Sequence, residues 1–330
     1  MELPMELRAA VEKEADKAGL SRLAAQAQAL SRRYREESGQ GRRLLTSETE
    51  AVAYAAARMP ATFGAAAAAL RYAAEALPDF RPASLLDVGA GTGAAAWAAD
   101  AVFHPETVTC LEREPAMRQV GRRLMQAGSP ALRAARWEAG DLLGGPLPVR
   151  AELVTAAYVL NELTAEDRRK AIRRLWDAAQ GMLLLAEPGT PAGSAVLRMA
   201  REQLLEEGAR IAAPCPGGGP CPMEGEDWCH FSCRVARSRL HRRLKGGEAP
   251  YEDEKYAYLA LCRPALLAEK AAGGERVLRH PQAAKGRVVL TLCTGAGLEK
   301  RTVARRDAAA FRQARGAKCG DLLRLCPPEE

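Results

Sequence analysis

From Ser84 to Gly208 the chain alternates apolar strands with helices, and that rhythm leaves few folds open. "SLLDVGAG" reads as a buried strand running into glycines, and "TGAAAWAADAVF" as the helix after it. "TVTCLE" is a second strand, followed by "PAMRQVGRRLMQAG" with proline suitably placed in a first helical turn. "AARWEAGD" and "AELVTAAYVLNEL" are the third and fourth strands. "TAEDRRKAIRRLWDAAQG" is a helix with Thr164 as cap and Gly181 as stop. "MLLLAEPG" is a fifth strand and "SAVLRMAREQLLEEG" the helix after it. Such alternation predicts an α/β fold, a parallel doubly wound sheet that takes ligands at the carboxyl ends of its strands.

The flanks differ. Residues 1–80 read as a helical preface, broken at Pro60, with Thr46 or Ser47 as a cap and Glu50 in capping-box spacing from Ser47. After Gly208, proline, glycine and cysteine dominate as far as Pro250, interrupted by the basic run "RVARSRLHRRLK". "YAYLALCR" and "GRVVLTLC" are strand-like, the second turning through "TGAG" into a hairpin with "LEKRTVAR". The expected organisation is therefore a helical region over 1–80 and a Rossmann-like domain over 81–210. A Cys-rich loop with a basic segment follows over 211–250. The end of the sheet and a small β-rich appendage fill 251–330.

"LLDVGAGTG" is the strongest local motif. Glycine is needed where a ligand must approach the backbone and where a Cβ would clash at positive φ. A dinucleotide loop is the rival, since Ala94 can stand for its last glycine. Three acids favour S-adenosylmethionine (SAM). Asp87 precedes the turn and can meet a positively charged amino group. Glu112 ends the second strand and can take both ribose hydroxyls, and Asp141 ends the third and can accept from an adenine amine. Gly89, Gly91 and Gly93 complete the expected site. Methyl transfer by in-line displacement draws most of its rate from positioning. The fourth strand runs on into candidate acceptor-side residues Tyr158, Asn161 and Glu162, without the Asn/Asp-Pro-Pro-Tyr/Phe arrangement used on planar amino groups.

The opening "MELPMELRAAVEKEADKAG" is charged rather than apolar, and no run reaches the ~20 apolar residues of a membrane helix. A cytoplasmic, reducing setting is expected, with no membrane partner and a monomeric chain. Nine cysteines, an odd number, argue against a disulfide framework there. Cys215, Cys221 and Cys229 crowd into one loop with five and seven residues between them, wider than zinc-finger gaps. A closed zinc or iron–sulfur site needs a fourth ligand. Cys233, Cys262, Cys293, Cys319, Cys326 and His230 are all candidates. Pro214–Cys215 and Pro220–Cys221 also match the proline-cysteine pair of RNA cytosine-C5 methyltransferases, but they lie in an inserted loop rather than after sheet strands.

The net charge of +7 leans modestly towards polyanions such as RNA. In the basic run, Arg234, Arg237, Arg239, Arg242, Arg243 and Lys245 are uninterrupted by acids, and arginine's planar fork suits phosphates and exposed bases. As one helix the run would turn Val235, Leu240 and Leu244 inward.

Seven stretches in order, "YAAARMPAT", "LLDVGAGTGAAAWAA", "AEPGTPAG", "APCPGGGPCP", "DWCHFSCRVARS", "EDEKYAYL" and "GRVVLTLC", together resemble the methyltransferase-like family of small-ribosomal-subunit assembly factors. The resemblance runs from about residue 50 to the C-terminus. It implies a SAM-binding Rossmann-like domain, association with small-subunit rRNA, and a 4Fe-4S cluster on four cysteines. Matched motif by motif, the ligands are Cys215, Cys221, Cys229 and Cys293, with structural zinc as the alternative. Cys319 falls where the family carries tryptophan, and Gly217 where it carries histidine.

Three functions compete. One is a SAM-dependent rRNA methyltransferase, the second a non-catalytic RNA-binding assembly factor on a SAM fold, the third a methyltransferase on a non-RNA acceptor. Bound RNA separates the first two from the third, and methyl incorporation separates the first from the second.

Overall fold

The structure, a computed structural model, describes residues 1–36, 47–267 and 274–325. Thr46 and Cys326, named above as a possible cap and a possible ligand, lie outside the described residues.

Four helices form the preface: α1 (Met5–Ala18), α2 (Leu20–Glu36), α3 (Glu48–Ala57) and α4 (Met59–Ala76). The capping box at α3 is present, because the Ser47 hydroxyl accepts from Glu50 N at 3.2 Å and the Glu50 carboxylate from Ser47 N at 3.0 Å. The break falls at Arg58, so Pro60 starts α4 rather than ending its predecessor. Every residue of α4 from Met59 to Leu70 is buried. A helix apolar all round belongs inside a core, and α4 lies between the sheet and the next helix.

The alternating region follows the expected order: β1 (Ser84–Val88), α5 (Ala94–Phe103), β2 (Thr107–Glu112), α6 (Pro115–Met125), a single turn α7 (Pro130–Arg133), β3 (Arg136–Ala139), β4 (Ala151–Ala157), α8 (Ala165–Ala178), β5 (Ala179–Pro188) and α9 (Pro191–Glu206). Thr164 caps α8, its side chain accepting from Asp167 N at 3.3 Å. Gly181 is not the stop of that helix. It sits inside β5, where a Cβ would come within 2.7 Å of Glu152 O and 2.8 Å of the Phe80 ring. Close packing, not a cap, calls for glycine there.

Four more elements, β6 (Arg210–Ala213), β7 (Phe231–Ala236), α10 (Arg239–Lys245) and β8 (Tyr251–Cys262), complete the main body. The sheet order is β3-β2-β1-β4-β5-β8-β6, with β7 also on β8. β1 to β5 are mutually parallel, whereas β8 runs antiparallel to β5, β6 and β7. The expected Rossmann-like sheet is thus present. It extends to Cys262, and "YAYLALCR" is one of its inner strands.

The appendage is a separate antiparallel sheet of β9 (Glu275–Val277), β10 (Gln282–Ala284), β11 (Arg287–Thr294), β12 (Gly297–Ala304) and β13 (Leu322–Leu323), closed by α11 (Ala308–Gly316). The hairpin forms as expected, with Thr294 opposite Gly297. Val277, Val288, Leu290, Leu292 and Val303 give this sheet its own small core.

The basic run departs from one continuous helix. Its first residues form β7, and Ser238 caps α10 only afterwards, accepting from His241 N at 3.1 Å. Val235 and Leu244 are buried, but on two different elements.

Candidate functional site

The glycine turn leaves the carboxyl end of β1 and is held against β2, where Leu111 O accepts from Gly89 N at 2.8 Å and from Ala90 N at 3.1 Å. Gly91 has φ +56°, and the nearest atom to a Cβ there would be a Tyr54 ring carbon 3.9 Å away. The turn therefore presents bare backbone to open space, which is what a closely approaching ligand needs. Glu112 stands across from it, buried, accepting from Gly91 N at 2.8 Å and Glu114 N at 2.7 Å. Burial pushes its carboxyl up, against those two amides. Gly89, Gly91, Glu112, Asp141, Tyr158 and Glu162 line one pocket. Asp141 is exposed at its rim, accepting from Leu143 N at 2.9 Å with Arg113 3.4 Å away.

Asp87, Gly93 and Asn161 are off its wall. Asp87 is 1% exposed, and both of its oxygens are used within the protein, by the Thr155 hydroxyl at 2.7 Å and Ala96 N at 3.1 Å. It ties β1 to β4 and to the start of α5 and is off the pocket wall, whereas Glu112, likewise bonded through both oxygens, lines it. Burial pushes it up to about 7, although both bonds pull the other way. Asn161 is off the pocket wall, with its buried side-chain oxygen lacking a partner. Tyr158, at φ +62°, gives its hydroxyl to Glu254 at 3.0 Å, and Glu254 also faces Arg58 at 3.7 Å. Burial pushes Glu162 up to about 7, against Arg113.

The second site is a cavity of about 360 Å³ between the main body and the appendage. Cys215, Cys221 and Cys229 reach it from the loop between β6 and β7, and Cys293 from β11. The loop is fixed at both sides: the Trp228 indole donates to Gly189 O at 3.0 Å, and Arg279 of the appendage binds Asp227 and Trp228 O. Burial pushes the Cys215 and Cys229 thiols up, and Cys293 up to about 11. The neighbouring thiols add to the rise at Cys229 and Cys293, whereas Arg201 opposes it at Cys215 and Cys293. Cys233, Cys262, Cys319 and His230 are off this wall; Cys319 points its thiol at Leu278 O, 3.2 Å away. Among the described residues no three His, Cys, Asp or Glu groups are gathered as for one metal ion.

The basic run meets acids from β8. Arg234 binds Asp253 through two bonds of 2.9 and 3.1 Å, and Arg237 and Lys245 share Glu252 at 2.6 and 2.8 Å. Arg239 and Arg243 are exposed and Arg242 half-buried, with no ion pair among the described residues. Three of the six cations are thus already paired, with two carboxylates between them.

A family profile described as "Mitochondrial small ribosomal subunit Rsm22" matches residues 48–324. The chain belongs to that family. The human "Ribosome assembly protein METTL17, mitochondrial" is 28% identical over 301 residues, covering 86% of this chain and 64% of that protein. "Rsm22-cox11 tandem protein 2, mitochondrial" of Schizosaccharomyces pombe is 25% identical over 294 residues, covering 73% of this chain and 38% of that protein. The chain thus spans less than two thirds of the length of these relatives. Among solved structures, the plantazolicin methyltransferase BpumL with SAH overlaps with a TM-score of 0.42 at 10% identity, over 74% of this chain and 97% of that one. The magnesium protoporphyrin IX methyltransferase of Synechocystis with SAM gives 0.40 at 15%, over 71% and 90%.

In this Rsm22-family chain the pocket also holds residues that no motif singled out, Tyr54, Arg113 and Val159 among them. Tyr54 comes from the preface, so its only sequence signal was the shared stretch "YAAARMPAT". Beneath the pocket, Glu187 is fully buried and accepts from Leu160 N at 2.8 Å, with its other oxygen unpartnered. Burial pushes it up to about 8, against the backbone amides of Leu160 and Asn161. A carboxyl raised on folding favours the fold while protonated, fully below about pH 4.5, and loses that contribution as pH rises through about 8. Glu187→Gln keeps the acceptor without the charge. It is expected to lie close to the parent near pH 5 and exceed it by about 4 kcal/mol at pH 9 in urea unfolding. Parallel stability profiles for the two proteins would rule this out.

Proposed function

We propose that this chain is a SAM-binding, cluster-containing assembly factor of the small ribosomal subunit, with rRNA as its acceptor for methyl transfer. The observation that carries the reading is the convergence of Cys215, Cys221, Cys229 and Cys293, from two separate sheets, on one cavity. Thiolates suit zinc and iron alike, and four cysteines lining one cavity supply the donor set that a 4Fe-4S cluster takes. A 4Fe-4S core held there would clip the loop onto the appendage, and ligation would strip the protons that burial keeps on the thiols. The eight described cysteines are free thiols, and a cytoplasmic setting remains the proposed one. A monomer remains the proposed state.

SAM is assigned to the pocket at the glycine turn. Gly91 leaves room for close approach, the buried Glu112 carboxylate can accept from ribose hydroxyls, and the exposed Asp141 can accept from an adenine amine. When bound, SAM supplies an electrophilic methyl group. Tyr158 and Glu162 would border the acceptor side. The Tyr158 hydroxyl is committed to Glu254, and Asn161 is turned away. These two observations favour, as second reading, an assembly factor that uses SAM without transferring its methyl group. Radiolabelled methyl incorporation into small-subunit precursor RNA separates the two.

RNA contact is proposed for the appendage and α10. Residues 275–325 hold twelve Lys/Arg against four Asp/Glu, a net +8 that exceeds the +7 of the whole chain. The remainder of the protein is therefore close to neutral. The RNA-facing part of the basic run narrows to Arg239, Arg242 and Arg243. Reversing those three to glutamate together with Lys300, Arg305 and Arg312 should abolish co-sedimentation with small-subunit precursors at moderate salt. SAM binding should persist. The parent's affinity should fall steeply with salt, by a slope of roughly 0.7–0.9 per phosphate contact on logarithmic axes. Retention of the sixfold variant on the particles would refute the assignment.

A further inference from the structure

Two arginines behind the cysteine cavity have no carboxylate to answer them among the described residues. Arg201, on α9, is 5% exposed and lines the cavity wall. One terminal nitrogen donates to Gly217 O and Gly219 O, in the loop between Cys215 and Cys221. Its Nε is buried and has no hydrogen-bond partner. Arg276, on β9, is 2% exposed. Its Nε donates to Pro214 O and one Nη to Gly320 O, both at 2.8 Å. It also stands directly opposite Cys293 in the β9–β11 ladder. Arg276 therefore touches the residue before one proposed ligand and pairs with the strand position of another.

Neither arginine has an ion pair among the described residues. Elsewhere in the protein the partly buried cations Arg237 and Lys245 meet a shared carboxylate. A buried guanidinium that meets only carbonyls, the Tyr72 ring 5.5 Å from Arg276 and the Cys215 side chain beside Arg201 is still expensive, because a full charge loses water without gaining a counter-charge. Both cations bear on the Cys215 and Cys293 thiols. The missing anion is thus expected in the cavity that the four cysteines share.

We propose that Arg201 and Arg276 are the cations that neutralise the cysteine-bound cluster, and that Arg201 raises its reduction potential. This rests on the cluster reading above. Four thiolates around a 4Fe-4S core leave a net negative group, and one-electron reduction makes it more negative. A buried cation beside the thiolates favours the reduced form, since net charge and polarity around a cluster set its potential. The reduction takes a single electron from an external donor such as dithionite, with no bond made or broken. Both residues act through the sulfurs and are positioning residues.

The test uses the full chain, reconstituted without oxygen from ferrous iron and sulfide, as parent, Arg201→Gln, Arg201→Lys and Arg276→Gln. Iron and sulfide per chain are measured first, and the midpoint potential of the loaded protein is then read by dithionite titration. Arg201→Gln should shift the reduction equilibrium about tenfold towards the oxidised form, 59 mV for one electron. Arg276→Gln should move it in the same direction, and Arg201→Lys should stay near the parent. If glutamine at 201 prevents loading while lysine restores it, the need for charge is likewise upheld, and Arg276→Gln then supplies the potential. Loaded Arg201→Gln with the parent potential would overturn the proposal, even with reduced loading, because Arg201 would then only hold the 217–219 backbone. Failure of both Arg201 variants to load would overturn it too. A parent chain that takes up no iron or sulfide rejects the cluster itself, whatever the arginines do.

Discussion

Cys293→Ser, purified without oxygen, is expected to come off the column colourless, with little iron or sulfide, and to melt well below the parent. Cys293 is the single proposed ligand from the appendage; the other three share the loop before β7. Removing it therefore unties the two parts of the chain rather than merely weakening one loop. A cross-link between Cys229 and Cys293 closes a long segment, and closure of that length is worth about 4 kcal/mol by the chain-entropy account used for disulfides. In a chain of this size that is a shift of roughly 6 °C. Cys319→Ser is the control, since its thiol faces Leu278 O rather than the cavity. It should keep the chromophore and its iron. If Cys319→Ser loses iron while Cys293→Ser keeps it, the ligand set is wrong. A parent that carries one zinc and no sulfide would turn the assignment to zinc, and metal-free parent protein would reject both.

What could be read from the sequence was whatever is decided over a few residues. The Ser47 and Thr164 caps, the strand–helix alternation and the "TGAG" hairpin all rest on local hydrogen bonds and periodicity. Misreadings arose where a distant segment decides. Gly181 looked like a helix stop, but the carbonyl of Glu152 and the Phe80 ring require glycine inside β5. Asp87 was expected to face a ligand, but it is bonded to Thr155 on β4 and is off the pocket wall. The basic run held no acid, yet β8 sets Asp253 opposite Arg234 and Glu252 opposite Val235. "YEDEKYAYL" carried that signal, an exposed acidic end running into a buried apolar one, although nothing local says which strand it joins. The cysteines show the same limit. Their spacing left six candidates for the fourth ligand, and only the packing of the appendage against the loop brings Cys293 to the cavity.

The glycine turn supports the other large effect. Gly91→Leu should lose SAM affinity by at least about 100-fold, since a close backbone approach tolerates no inserted side chain. It should nevertheless stay folded. A Cβ at Gly91 meets nothing nearer than the Tyr54 ring at 3.9 Å, so the cost is chiefly the left-handed backbone, about 1–2 kcal/mol. Gly89 and Gly93 are different. A Cβ there would come within 2.5 Å of Val159 and 2.6 Å of Met125, so substitution strains the protein before any ligand arrives. Gly93→Leu should therefore lose stability as well as binding, and the pair of variants separates occlusion from unfolding. Calorimetric titration with SAM reads the affinity, and thermal melts with and without SAM read the fold. The parent should melt higher with SAM present, by an increment that grows with ligand concentration, whereas Gly91→Leu should show no increment at all. A folded Gly91→Leu protein that binds SAM as tightly as the parent would place the cofactor away from this turn, and Glu112 and Asp141 would lose their proposed roles with it.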